Sequence, residues 1–146
     1  MEVTAPMTEQ STQDVEELAR AAMDVHSGDL SKLDVYAETV SRYDPFMPDD
    51  GVHGREAFET DVREVKAAFP DVQVRADDVL VSDDVAMIKW TWTGTHEEEF
   101  EGLPPTHNRV EVHGMMKLVI EDGQIQEERS YYDAQDHLAQ LGVTEE

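Results

Sequence analysis

Apolar residues recur at helical spacing in two stretches of the first seventy positions. The first stripe is Val15, Leu18, Ala19, Ala22 and Met23, and the second is Phe58, Val62, Val65 and Phe69. A capping signal at residues 11–14 precedes the first stripe and Ser27-Gly28 ends it, while Pro70 ends the second. Asp29 opens a shorter helix through Tyr36, followed by a short extended segment to Tyr43 and a loop over residues 46–54. The pattern therefore predicts three helices in the N-terminal half.

From Val72 onwards the pattern changes to alternation, which is typical of strands with one buried face. The inward positions predicted for the two central strands are Ala86, Ile88, Trp90 and Trp92, then Val110, Val112, Gly114, Met116, Leu118 and Ile120. Asp122-Gly123 predicts a tight hairpin, and a short helix from Ala134 to Leu141 ends at Gly142. On the last strand, alternation places Asp133 on the same face as Ile125, Glu127, Arg129 and Tyr131.

Three helices, four long antiparallel strands and a short final helix predict an α+β fold. We expect a cone-shaped barrel in which a curved antiparallel sheet wraps over the three N-terminal helices and encloses an internal pocket. Residues 1–10 show no periodicity and are predicted to be a flexible N-terminus. Residues 11–146 then form a single domain.

The charge balance is strongly acidic, with 34 acidic and 11 basic residues and a formal net charge of -23. Self-repulsion of this size destabilises a compact domain in dilute buffer, and concentrated salt screens it. Acidic residues are spread over the whole chain, which favours a protein from a halophilic archaeon over one with an acidic surface for a basic partner. Binding to nucleic acid is disfavoured by the same charge.

Several kinds of chemistry are excluded by composition. Cysteine is absent, which excludes disulfides, thiolate metal sites and cysteine nucleophiles. No run of about 20 apolar residues spans a membrane and no secretion signal is present, so we expect a cytoplasmic protein that does not bind membranes. A metal site is not predicted, because the candidate ligands show no recognisable ligand spacing. These candidates are His53, His96, His107 and His113 with Asp44, Asp49 and Asp133.

A series of short motifs runs in order along residues 13 to 143. They are Gly54-Arg-Glu-Ala-Phe58, Ala68-Phe-Pro-Asp71, Trp90-x-x-x-Gly-Thr-His96, Phe100-x-Gly-Leu-Pro-Pro-Thr106, Val110-x-Val-x-Gly114, Glu121-Asp-Gly123, Asp133 and Gln140-Leu-Gly142. The ordered set resembles the SnoaL-like polyketide cyclases, which belong to the nuclear transport factor 2-like superfamily. The resemblance implies the cone fold, frequent dimerisation through the open face of the sheet, and cofactor-free aldol cyclisation in which a buried aspartate is the acid and base.

Asp133 is the leading catalytic candidate, because it matches the aspartate that the family keeps near the end of the last strand. A carboxylate that faces an apolar interior has a raised pKa, which suits proton transfer near neutral pH. The alternatives are that Asp133 caps the final helix or pairs with Arg129. His96 is the second catalytic candidate, since a neutral imidazole beside the Pro-Pro loop can polarise a carbonyl; its alternative role is that of a rim residue.

Substrate-binding candidates come from the same face and from the loop. Arg129 stands where many relatives have tryptophan, and it either binds a substrate carboxylate or enolate or neutralises Glu127. Tyr43 stands where many relatives have histidine, and its phenol can donate to an oxyanion or form part of the wall. The predicted lining residues are Trp90, Trp92, Met116, Phe46 and Phe58.

The sequence supports three functional hypotheses. The first is a lyase or isomerase of the polyketide cyclase type, acting on a small hydrophobic carbonyl compound without a cofactor. The second is a non-catalytic protein that binds a small hydrophobic ligand, and the third is an epoxide hydrolase in which Arg129 and Asp133 are two members of a three-residue network. A homodimer is expected through the sheet face that carries Lys89, Thr91, Glu111 and His113.

Overall fold

The computed structural model describes residues 12–142. In order, the helices and strands are α1 (Thr12–His26), the 3₁₀ helix η1 (Leu30–Val35), β1 (Tyr36–Tyr43), β2 (Val52–His53), α2 (Arg55–Ala68), β3 (Gln73–Ser82), β4 (Val85–Thr95), β5 (Arg109–Glu121), β6 (Gln124–Tyr132) and α3 (Ala134–Gln140). Every predicted helix and long strand is found in these residues. The predicted flexible segment, residues 1–10, lies outside them.

The two long helices form where the apolar stripes predict them. In α1 the buried positions include Val15, Ala19 and Ala22, which are spaced three or four residues apart and so share one face. The helix ends at His26, and the hydroxyl of the next residue, Ser27, donates to the Met23 carbonyl at 2.9 Å. Both helices lie on the inner face of the sheet and supply eight of the 23 described residues that are buried in the hydrophobic core.

The sheet has six strands in the order β2-β1-β6-β5-β4-β3. β1 pairs with β6 in parallel, while the other neighbouring strands are antiparallel. The sheet is therefore mixed and does not close into a barrel. The prediction of a cone-shaped barrel of antiparallel strands is wrong, because β1 joins the sheet as a parallel strand and the edge strands of the described sheet, β2 and β3, do not pair with each other. The predicted α+β class, with helices at the N-terminus, is confirmed.

Strands β4 and β5 carry the expected faces. Ala86, Ile88 and Trp90 are buried on β4, and they alternate with exposed Met87 and Lys89. Gly114 lies opposite Trp90 on β5. A Cβ atom at position 114 would come within 2.4 Å of the Trp90 indole, so glycine allows the ring to lie across the neighbouring strand.

A β-bulge changes which side chains of β6 face the core. Ile120 pairs with Ile125 and Val119 pairs with Glu127, so Gln126 is an extra residue without a position of its own in the ladder. Beyond Gln126 the inward positions are Glu128, Ser130 and Tyr132. The prediction that Glu127, Arg129, Tyr131 and Asp133 face the interior is wrong for this reason.

No helix within residues 12–142 has the length and apolar character needed to cross a membrane.

Candidate active site

A cavity of about 550 Å³ lies between the inner face of the sheet and the helices. Most of its wall is apolar. The apolar lining residues include Val65, Phe69, Val74, Trp90, Trp92, Phe100, Leu103, Val112, Met116 and Leu141. The volume lies within the range of sites for small organic ligands.

Glu128 lies at one end of the cavity and is 3% exposed. Its carboxylate accepts hydrogen bonds from the Tyr36 hydroxyl and from Nε2 of His26, the latter at 2.9 Å. Burial alone raises the pKa of a carboxyl group, but here His26, Arg42 and Tyr36 outweigh it and lower the pKa of Glu128 to about 2. Glu128 is therefore ionised at neutral pH, although it is almost completely buried.

Arg42 links this carboxylate to a second one. Its Nε lies 3.5 Å from Glu128, and its Nη1 donates to Asp61 at 3.0 Å. The guanidinium also lies 4.0 Å from the centre of the Phe58 ring, which is a cation–π contact. The result is a carboxylate–guanidinium–carboxylate array in the cavity wall.

Asp44 lies just after β1 and lines the cavity as a half-buried carboxylate. Burial raises the pKa of Asp44, while the backbone N–H of Phe46, which donates to Asp44 at 2.8 Å, and the charge of Arg42 act in the opposite direction. Tyr132 lines the same cavity, and its pKa is raised first by burial and then by the negative charge of Asp44. The Tyr132 phenol therefore stays protonated and able to donate.

Two further side chains in the wall, Trp90 and His137, have buried polar atoms without hydrogen-bond partners among the described residues. These atoms are the indole N–H of Trp90 and both ring nitrogens of His137. Burial lowers the pKa of His137, which keeps its imidazole neutral at neutral pH. The cavity thus combines apolar walls with a few polar groups, as ligand sites do.

The sequence model of the SnoaL-like polyketide cyclase family matches residues 16–141. The chain belongs to this family. No match to a curated protein was found.

Solved structures of other proteins share the fold. IdmH, a candidate polyketide cyclase from Streptomyces antibioticus, is 27% identical over 88% of this chain and 99% of that chain, with a TM-score of 0.75. AclR, a candidate hydroxylase from Streptomyces galilaeus, is 25% identical over 90% and 98%, with a TM-score of 0.76. TsrD from Streptomyces laurentii is 23% identical over 92% and 99%, with a TM-score of 0.80. These similarities cover nearly the whole of each chain.

Four of the predicted lining residues do line the cavity: Phe46, Trp90, Trp92 and Met116. The fifth, Phe58, is fully buried behind the wall, where it packs on Tyr36 with ring centres 4.5 Å apart. Its predicted position in the lining is wrong, because the Arg42 guanidinium lies over its ring.

Arg129 and Tyr43 lie on the other side of the sheet from the cavity. The guanidinium of Arg129 stacks 3.8 Å from the centre of the Tyr43 ring, and its Nε donates to Glu127 at 2.6 Å. The predicted alternative in which Arg129 neutralises Glu127 is confirmed. Its predicted orientation into the pocket, where many family members have tryptophan, is wrong because of the bulge at Gln126.

Asp133 is exposed and caps α3, since its carboxylate accepts a hydrogen bond from the backbone N–H of Asp136 at 3.0 Å. Its predicted position inside the pocket is wrong, whereas the capping alternative is confirmed. His96 is fully buried beneath the wall, stacked on Phe69 at 5.3 Å, and its Nδ1 accepts from the backbone N–H of Thr106 at 3.2 Å. The catalytic roles of Asp133 and His96 stay predictions.

Alternation along the sequence missed the polar groups of the cavity. Alternation counted without a bulge places Glu128 and Tyr132 on the face opposite Ile125, because a one-residue bulge leaves no mark in the pattern. The spacing of four between His137 and Leu141 is a signal for His137, because in the helix predicted from Ala134 to Leu141 it places both residues on one face. Within residues 12–142, no group of acidic and histidine side chains is arranged to hold a metal ion.

Proposed function

We propose that this member of the SnoaL-like family is an enzyme that transfers a proton next to a carbonyl group of a small hydrophobic substrate, without a cofactor. The observation that carries the proposal is the position of Asp44, a desolvated carboxylate with a raised pKa in the wall of a mostly apolar cavity. Such a carboxylate is a stronger base than one in water and is suited to general base catalysis.

In the proposed reaction, the ionised Asp44 removes a proton from the carbon next to the carbonyl. The electron pair of the broken C–H bond moves onto the carbonyl oxygen and gives an enolate. The Tyr132 hydroxyl, which remains protonated, donates a hydrogen bond to that oxygen. The α-carbon of the enolate then takes a proton back from Asp44, which returns the substrate with its α-hydrogen exchanged, or it attacks a second carbonyl of the substrate, whose oxygen receives the proton from Asp44.

The first prediction tests Asp44 against Asp133. We expect the protein to exchange the α-protons of 1-tetralone for deuterium. We expect Asp44→Asn to lower the rate of this exchange about a hundredfold or more. Exchange is followed by NMR in D₂O. Because the ionised form of Asp44 is the base, the rate rises with pH through the raised pKa of Asp44 and is constant above it.

Asp133→Asn is the matched control, because asparagine is an equally good N-cap and the charge change is the same. We expect it to retain the exchange rate. If Asp133→Asn loses the activity and Asp44→Asn keeps it, the base is Asp133. Exchange that is absent from the parent protein and both variants would contradict the enzyme hypothesis and favour the ligand-binding alternative.

A second candidate function rests on the array formed by Asp61, Arg42 and Glu128. A guanidinium between two carboxylates can hold a water molecule as nucleophile. The ionised Glu128 accepts a proton from that water as the water oxygen bonds to an epoxide carbon and the C–O bond breaks, and the departing oxygen takes a proton from solvent. In this reaction water adds across one C–O bond, so one diol oxygen comes from solvent. The sequence predicts Arg129 and Asp133 as members of such a network, whereas the array in the structure consists of Asp61, Arg42 and Glu128.

This candidate predicts that styrene oxide is converted to its diol with one oxygen from ¹⁸O-labelled water, as measured by mass spectrometry. Asp61→Asn is expected to lower the rate at least tenfold while the melting temperature changes little, because Asp61 is partly exposed. Diol formation that does not exceed the rate in buffer would reject it.

A further inference from the structure

His137 is surrounded by aromatic rings at the end of the cavity nearest α3. Its ring centre lies 5.6 Å from that of Phe46, 5.7 Å from that of Trp92 and 6.2 Å from that of Tyr132. All four residues line the cavity. The imidazole is therefore the polar group of an aromatic corner.

A neutral imidazole has one N–H donor and one nitrogen acceptor. In His137 neither nitrogen has a partner among the described residues, and both are closed off from water. Buried polar groups in native proteins nearly always have a partner, because leaving them unpaired costs free energy. An apolar residue would fill this corner without that cost, so a histidine here indicates a partner that arrives with a ligand.

Phe46 is the cover over this corner. It belongs to the loop between β1 and β2 and is 50% exposed, and its ring stands edge-on against the imidazole at 70°. Moving a large apolar side chain that is half exposed costs little free energy, because much of its surface already contacts water. A ligand ring that takes the place of Phe46 would contact His137 and Tyr132 as Phe46 does now.

We propose that His137 is a ligand-binding residue, which hydrogen-bonds a carbonyl or hydroxyl oxygen of an aromatic ligand once that ligand has displaced Phe46. This inference rests on the proposed function in that it takes the same cavity as the ligand site. It requires binding alone, so it does not depend on proton transfer by Asp44. Burial, which lowers the pKa of His137, supports it by keeping the imidazole in the neutral form.

The test compares 2-naphthol with naphthalene, two probes of similar shape that differ in one oxygen. Dissociation constants are measured from the quenching of tryptophan fluorescence at pH 7.5. The parent protein is expected to prefer 2-naphthol, after correction for the transfer of each probe from water. His137→Phe is expected to reduce that preference about three- to tenfold, the loss of one hydrogen bond, while naphthalene binds as before.

His137→Gln is the second variant, because glutamine offers one donor and one acceptor and is expected to restore part of the preference. His113→Phe is the matched control on the opposite face of the sheet, and it is expected to change neither constant. If His137→Phe keeps the full preference for 2-naphthol, the inference is wrong, whether or not the protein exchanges α-protons.

The imidazole nitrogens give a direct measurement. In ¹⁵N NMR spectra of the parent protein, 2-naphthol is expected to shift the ring nitrogens of His137, whereas naphthalene is expected to shift them much less. Phe46→Ala is expected to speed the exchange of the His137 ring N–H with water in the absence of any probe. An unchanged exchange rate would contradict the assignment of Phe46 as the cover.

Discussion

Glu128 is a carboxylate that the fold keeps almost entirely from water, yet it remains charged. Its position depends on three partners from distant parts of the chain: His26 at the end of α1, and Tyr36 and Arg42 on β1. A buried ion with these partners is stable, whereas the removal of its charge leaves the cation of Arg42 without full compensation. We therefore expect the contacts of Glu128 to stabilise the fold.

This network makes a prediction about stability and pH. The pKa of Glu128 is about 2 in the folded protein and near the ordinary value of a glutamate when unfolded. Because the pKa of Glu128 is lower in the folded protein, its ionised form stabilises the fold at every pH above its pKa in the unfolded chain. This stabilisation is lost as the pH falls towards 2. We expect Glu128→Gln to lower the free energy of unfolding at pH 7 by about 3 kcal/mol. Below pH 4.5, we expect the free energy of unfolding of the variant to fall less steeply than that of the parent protein.

Urea denaturation between pH 3 and pH 7 in high salt measures this difference. Glu127→Gln is the matched control, because its partner Arg129 is solvated on the outer face, and we expect a change below about 1 kcal/mol. If the two variants change the free energy of unfolding equally, the burial of Glu128 does not make it more stabilising than a solvated ion pair.

Single residues also show the limits of prediction from sequence. Asp44 directly follows the extended segment that the sequence predicts up to Tyr43, but its burial depends on the loop that follows and on the distant wall of the cavity. The role of Asp133 as a cap was visible as an alternative, because aspartate before a short helix is a common N-cap. The side chains with the clearest apolar pattern, Trp90 and Met116, were placed correctly.

At the scale of elements, alternation predicts a strand well until a bulge interrupts it. The helices α1 and α2 and the strands β4 and β5 follow their hydrophobic patterns, since each buries one regular face. β6 does not, because Gln126 inverts every position after it. The parallel pairing of β1 was also hidden, since alternation is the same in parallel and antiparallel strands.

The bulge makes a prediction about deletions. Removal of Gln126 turns the interrupted ladder into a regular one and leaves Glu128, Ser130 and Tyr132 facing the cavity, so we expect a folded protein that loses about 1 to 2 kcal/mol. Removal of Arg129 should be far more damaging, because Ser130 and Tyr132 would then turn outward. Circular dichroism and thermal melting of the two deletion variants measure the difference, and similar melting temperatures would contradict it.

At the scale of the whole molecule, the outer face of the sheet carries an apolar stripe. Leu80 pairs with Met87, and Met115 pairs with Tyr131, so the four side chains cross four adjacent strands. All four are exposed in the single chain, with Leu80 at 72% and Tyr131 at 63%. A second copy of the chain would cover this stripe, which supports the homodimer expected from the sequence.

Net charge sets the conditions for that dimer. Two chains of formal charge -23 repel each other in dilute buffer, and the repulsion is screened in concentrated salt. We expect sedimentation to show a dimer at 2 M NaCl and mostly monomer at low salt, and we expect Met115→Lys to give a monomer in both. Thr60→Lys on α2 is the control with the same added charge. A monomeric parent protein at 2 M NaCl would contradict the prediction.

The parallel pairing of β1 and β6 has a consequence for synthesis of the chain. β1 is made before its partner β6, and residues 44–123 separate the two strands. The other neighbour of β1 among the described strands is β2, which has only two residues. The contacts of Tyr36 and Arg42 with Glu128 therefore cannot form until β6 has been made. We expect the cavity to form only after residues 124–132 have left the ribosome.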